Sequence, residues 1–241
     1  MTSLPRSLRL LTAAFLACGL LVGGLLASAE ERVAPGHDNR ADRPPISIID
    51  GDTMQIGGDI VQLFGIDAPE LGQLCRHDGR WRHCGFDAAF ELRKLFAMES
   101  NAVRCGPAGA GNGPSLQSCL IGQVDVAHAL IASGYALAAA ETNSAYSQAE
   151  AAARDARLGL WHDGFVAPAR WRAGKRLEGE ADAELDRCPI KTMTTAGGQR
   201  HYVVPTDDGY RDIVAAGADG PCYSSDEAAR EAGWTRPGQT P

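Results

Sequence analysis

The run "IIDGDTMQIGGDIVQLFGIDAPE", residues 48–70, decides the fold. Short apolar segments alternate with Gly-Asp turns, the pattern of consecutive β-strands: 46–50, then 54–56, then 60–66. The same run places Asp50, Asp52, Asp67 and Glu70 at the ends of those segments. Acids grouped in this way suit a hard cation and chemistry on a charged substrate. Yet the strand before "GIDAPE" reads Ile60-Val61-Gln62-Leu63-Phe64, without a basic residue to hold a phosphate.

Downstream, "GFDAAFELRKLFAM" (85–98) has helical periodicity. "NAVRC" and "LQSCLI" read as strands around the turn "GPAGAGNGPS". "VDVAHALIAS" is a helix stopped by Gly134, "YALAAA" a last short strand, and "AYSQAEAAARDARLG" a helix stopped by Gly159. Strand, strand, strand, helix, strand, strand, helix, strand, helix is the order of a five-stranded Greek-key barrel of the OB type with about three helices. Residues 173–187 are charged and read as a linker, and 188–237 as a small α+β module. In that module "HYVVP" and "YRDI" read as strands, and "SSDEAAREAGW" as a helix with a capping box between Ser224 and Glu227.

The first 29 residues have the layout of a signal peptide. Arg6 and Arg9 precede the uncharged run 10–26, and Ala27-Ser28-Ala29 is a small-x-small cleavage pattern. An uncleaved anchor and a lipoprotein modified at Cys18 are the alternatives. Residues 30–45 read as a flexible leader. Export to the periplasm or the medium makes disulfides the natural state of the cysteines. Without Cys18 there are six, which admit 15 pairings. Pairing in chain order is the simplest: Cys75–Cys84, Cys105–Cys119 and Cys188–Cys222. No C-x-x-C is present, so zinc is the weaker alternative, and His77, His83, His128 and His162 are expected to be surface or packing residues. The net charge is −7; residues 1–29 contain two arginines and no acid, so the remainder carries −9. Such a chain has no long-range attraction for nucleic acid.

"DGDT" (50–53) and "GIDAPE" (65–70), with "GQVDVAHALIASGYALA", "AEAAARDARLGLW" and the "P-x-x-W-R" of residues 168–172, resemble the staphylococcal nuclease (thermonuclease) family over about residues 46–172. The resemblance implies an OB barrel that cleaves DNA and RNA with one calcium ion. It implies that Asp52, Asp67 and the main-chain carbonyl of Ala68 hold the ion, and that Glu70 orients or deprotonates the attacking water. Ala68 stands where the family often has Thr.

Two departures bear on activity. The family places one phosphate-clamping arginine where this chain has Gln62, and a second where the best alignment gives Pro114. Losing one phosphoryl-transfer arginine can cost on the order of 10³-fold, so catalysis is expected to be weak or lost. The loop "LGQLCRHDGRWRHCG" after Glu70 offers Arg80 or Arg82 as replacement charge. The module at 188–237 resembles a small sunset-type unit, distantly like the metal-binding domain of the Ada repair protein. It has two cysteines rather than four, so a disulfide is expected there and not zinc. Exported nuclease-like chains with such a tail resemble those of succinoglycan (exopolysaccharide) loci in rhizobia-like bacteria. The expectation is a monomer acting on single-stranded or unfolded nucleic acid. The alternative is a non-enzymatic envelope module that binds an oligosaccharide or a protein in the OB cleft.

Overall fold

A computed structural model describes residues 44–98, 103–108, 115–140, 143–162 and 164–239. The expected signal segment, most of the leader, and Pro114 lie outside the described residues. Strands β1 (Ile46–Ile48), β2 (Thr53–Ile56) and β3 (Asp59–Leu63) form an antiparallel meander, with Met54 opposite Val61. The next strand in the chain, β4 (Ile66–Asp67), leaves this sheet. The expected single strand 60–66 is broken at Gly65, whose φ of 83° only glycine adopts readily. Beyond that break Asp67 is carried away from the meander.

A hairpin follows, β5 (Leu74–His77) and β6 (Arg80–His83), where the sequence had suggested only a loop. Helix α1 (Cys84–Met98) follows directly. Strand β7 (Val103–Pro107) pairs with β8 (Ser115–Ile121), and β8 runs parallel to β3. Strand β9 (Val124–Asp125) adds to β8, helix α2 (Val126–Ala132) follows, and β10 (Leu137–Ala138) pairs with β4. This mixed, mainly β arrangement fits an OB-type barrel. Asp125 caps α2 through the backbone N–H of His128, and Gly134 stops it with φ 78°. Helix α3 (Ser144–Asp155) ends earlier than expected, at Ala156, with Arg157 rather than Gly159 taking the first left-handed conformation. The short helix α4 (Pro168–Arg172) begins with proline, whose missing N–H costs nothing in a first turn.

The remaining chain adds β11 (Lys191–Thr194), β12 (Arg200–Val203), α5 (Tyr210–Ala215) and α6 (Asp226–Glu231). "YRDI" is therefore a helix and not a strand: Val214 and Ala215 extend it, Ala216 caps it and Gly217 (φ 90°) follows. The strand partner of "HYVVP" is β11 instead. The cap of α6 is Ser225, which accepts from the N–H of Ala228, one residue beyond the expected box. Ser224 uses its carbonyl elsewhere, accepting from Gly72 N–H at 2.7 Å.

All three expected disulfides form. The largest core cluster joins the barrel residues Ile49, Met54, Leu63, Leu71, Leu92 and Ile131 to Ile190, Tyr202, Val204 and Trp234 of the tail. Thr206 donates its hydroxyl to the Ile48 carbonyl, and Arg93 of α1 donates to the Thr206 carbonyl. The tail thus packs against the strand that leads into "DGDT". Its hydrophobic side chains are withdrawn from water together with those of the barrel, which is the main favourable contribution to folding. No helix among the described residues is long and apolar enough to cross a membrane.

Candidate active site

The "DGDT" turn is built by its own side chains. Asp50 Oδ1 accepts from the N–H groups of Asp52 (3.0 Å) and Thr53 (2.7 Å). Asp50 is thus the turn-former that such a motif commonly holds. Asp52 is directed differently: its Oδ2 accepts from Ala68 N–H at 2.7 Å and its Oδ1 from the Thr53 hydroxyl at 3.0 Å. One carboxylate therefore ties the first motif to the second. Close packing helps to hold both. A Cβ on Gly51 would lie 2.7 Å from the Ala68 methyl, and one on Gly85 would lie 1.9 Å from the Glu70 carbonyl oxygen. Only glycine lets α1 approach the backbone of Glu70 so closely.

The second motif meets the end of the nuclease-like segment. Arg172, the last residue of α4, donates from Nη2 to Asp67 Oδ1 and from Nη1 to Glu70 Oε1, both at 2.9 Å. The other Asp67 oxygen accepts from Ala169 N–H at 3.2 Å, in the first turn of the same helix. Helix α4 is anchored by Trp171, which is buried and donates its indole N–H to Glu180. Glu180 lies within the stretch read as a linker, yet it is fully buried.

Asp50, Asp52 and Glu70 are all nearly inaccessible to solvent. Burial, with the neighbouring charges of Asp52, Glu70 and Asp226, pushes the Asp50 carboxyl well above its usual range. Burial raises Asp52 as well, against the lowering effect of the Ala68 N–H. Glu70 is pushed up to about 7, chiefly by burial and by Asp52, while Arg172 pulls it down. Burial works against the charge on Arg172. Hydrogen bonds and attraction from Glu70 and Asp67 outweigh it and keep the guanidinium protonated.

Gln62 is half-buried on β3, opposite Thr53 and beside Leu116. Arg80 and Arg82 stand on β6, where Arg82 pairs with Asp87 of α1 at 2.8 Å. The guanidinium that reaches the carboxylates is that of Arg172, about a hundred residues away in the chain. The sequence showed it only as part of the landmark "P-x-x-W-R". The available signal was an arginine at the end of a proline-started helix; nothing local indicated which carboxylates it would meet.

Residues 60–163 match the family profile described as "Staphylococcal nuclease homologue". That match begins after Asp52 and ends before Arg172, so the two ends of the site fall outside it. The chain is also 34% identical over 164 residues to the succinoglycan biosynthesis protein ExoI of Rhizobium meliloti (strain 1021), an alignment covering 65% of this chain and 81% of that protein.

Proposed function

This chain belongs to the staphylococcal nuclease homologue family, and from that premise we propose that it hydrolyses phosphodiester bonds of nucleic acid, slowly and with calcium, outside the cytoplasm. The observation that carries the reading is the convergence of Asp52, Asp67 and Glu70 at one place, with Arg172 as their cation. Asp52, Asp67 and the Ala68 carbonyl form an all-oxygen donor set, which fits a hard divalent ion. When bound, such an ion would neutralise phosphate charge and acidify a water. Glu70, held near neutrality, suits the removal of a proton from that water. Arg172 offers two parallel N–H donors, the geometry that holds phosphate, and makes up part of what Gln62 cannot supply. Because those donors already serve Asp67 and Glu70, substrate must compete for them, and the proposed rate is low.

The test is cleavage of denatured DNA in calcium against chelator. Activity lost with chelator and in Glu70→Gln supports the proposal, and Gln62→Arg should raise it. Three disulfides and the expected signal segment support the extracytoplasmic setting. A second reading is favoured by the relative's name and by the pairing of Arg172 with the carboxylates: a binding or assembly module of exopolysaccharide synthesis. Absence of any cleavage, in the parent chain and in Gln62→Arg alike, would favour it.

A further inference from the structure

The hairpin after Glu70 and the turn after α3 bring together His77, Asp78 and His162. We propose that these three side chains form a binding site for a first-row divalent transition metal of the zinc class, separate in ligands and chemistry from the acidic site. His77 Nε2 lies 3.8 Å from Asp78 Oδ2, and His162 Nε2 lies 3.7 Å from Asp78 Oδ1. The three donor atoms all lie within 4.8 Å of one another. A tetrahedral ion with bonds of about 2.0–2.1 Å holds neighbouring donors roughly 3.3–3.4 Å apart. Because the two histidines face different oxygens of Asp78, a single carboxylate oxygen would have to turn toward both and the edges, now within 4.8 Å, would have to close to that spacing, with the remaining corner left to water.

The supports of this cluster are stiff. Asp78 and Gly79 form a two-residue hairpin turn, both with positive φ (50° and 69°), so the aspartate sits where the turn demands it. The Cys75–Cys84 disulfide closes the base of the hairpin and packs on Leu160, two residues before His162. Arg76 N–H donates to the Gly164 carbonyl at 2.8 Å, which fastens the hairpin to the chain just beyond His162. Preorganised ligands on a fastened scaffold are what a metal site requires.

Packing alone would account for the stacked rings of His77 and His162, whose centroids are 4.1 Å apart. Beside them the Asp78 carboxylate presents one oxygen toward each ring. The ligand set selects the ion. Two imidazole nitrogens and one carboxylate oxygen suit zinc, cobalt or nickel, whereas calcium takes oxygen. Arg82 on the same hairpin pairs with Asp87, whereas Arg80 stands opposite His77 and adds positive charge that an ion must overcome. The ion would clip the hairpin to the 159–162 turn.

The experiment is calorimetric titration of the untagged chain with zinc alone, repeated with His77→Ala, His162→Ala and, as a control, His128→Ala. One equivalent should bind, with affinity reduced about 100-fold or more in the first two variants, since even outer-shell partners commonly contribute 10–100-fold. His128→Ala should bind as the parent does. Cobalt should give the visible bands of a tetrahedral complex in the parent and not in His77→Ala. Circular dichroism confirms that each variant is folded. Undetectable zinc binding, or binding unchanged in both histidine variants and lost in Asp52→Ala, overturns the proposal.

Discussion

Among the described residues, two groups of buried acids and arginines are balanced differently. In the tail, Asp226 accepts from Arg230 at 2.6 Å and from the Tyr202 hydroxyl, while Asp207 pairs with Arg236 through two hydrogen bonds. Two carboxylates meet two guanidiniums. Around the two motifs, Asp50, Asp52, Asp67 and Glu70 gather with one arginine, Arg172, which meets Asp67 and Glu70. The tail's cluster is matched in charge, although Arg236 Nε lacks a hydrogen-bond partner, and it has the character of a structural network. The two motifs carry more acid than Arg172 can neutralise, and burial and mutual repulsion push the carboxyls of Asp50, Asp52 and Glu70 upward. A site that stays short of positive charge after folding is a site that can take a cation from outside.

The comparison can be broken most severely from the balanced side. Asp226→Ala leaves Arg230 and the buried Tyr202 hydroxyl without their partner, and should cost about 3–5 kcal/mol of stability. Denaturant unfolding should show this loss to the same extent with and without calcium. Arg172→Ala should cost less, about 2 kcal/mol, because about a third of that side chain faces solvent. Here calcium should restore much of the loss and should bind more tightly than to the parent, since Asp67 is released. Equal responses of the two variants to calcium would erase the distinction.

Titration sharpens it further. The folded-state pKa of Glu70 lies above its unfolded value, so the folded chain keeps a proton that the unfolded chain releases. That contribution to stability is full below about 4.5 and is lost as pH rises through about 7. Glu70→Gln should flatten this decline and raise stability above pH 7 by about 1 kcal/mol. Calcium binding by the parent should tighten as pH rises through the same range, with proton release visible in buffers of different ionisation enthalpy. The smallest effect expected is that of Asp87→Ala, which frees Arg82. Both groups are substantially exposed, so the change should stay below about 1 kcal/mol.

Much of this was legible in local sequence. Apolar alternation gave the meander, Gly134 gave the end of α2, and "DGDT" and "GIDAPE" gave the acids. What escaped was decided by contacts between distant segments. Gly65 breaks the predicted strand because Asp67 must reach β10 and α4. "YRDI" is too short for its periodicity to distinguish strand from helix, and the alanines after it settle the outcome. Arg172 and His162 could not be assigned partners, because their partners lie on elements far away in the chain. The hairpin at 74–83 was hidden by its charge, although its Asp-Gly turn was a usable signal.

The position of Arg172 also sets an order of events during synthesis. The acids of the two motifs leave the ribosome about a hundred residues ahead of their cation, which arrives only after α3 and the turn that follows. Until then the second motif can only stay protonated, stay solvated or borrow a metal ion. A chain cut short before α4 would present the acids without the group that orients Asp67 and Glu70. Completion of the site is thereby tied to the synthesis of α4, about a hundred residues after the acids.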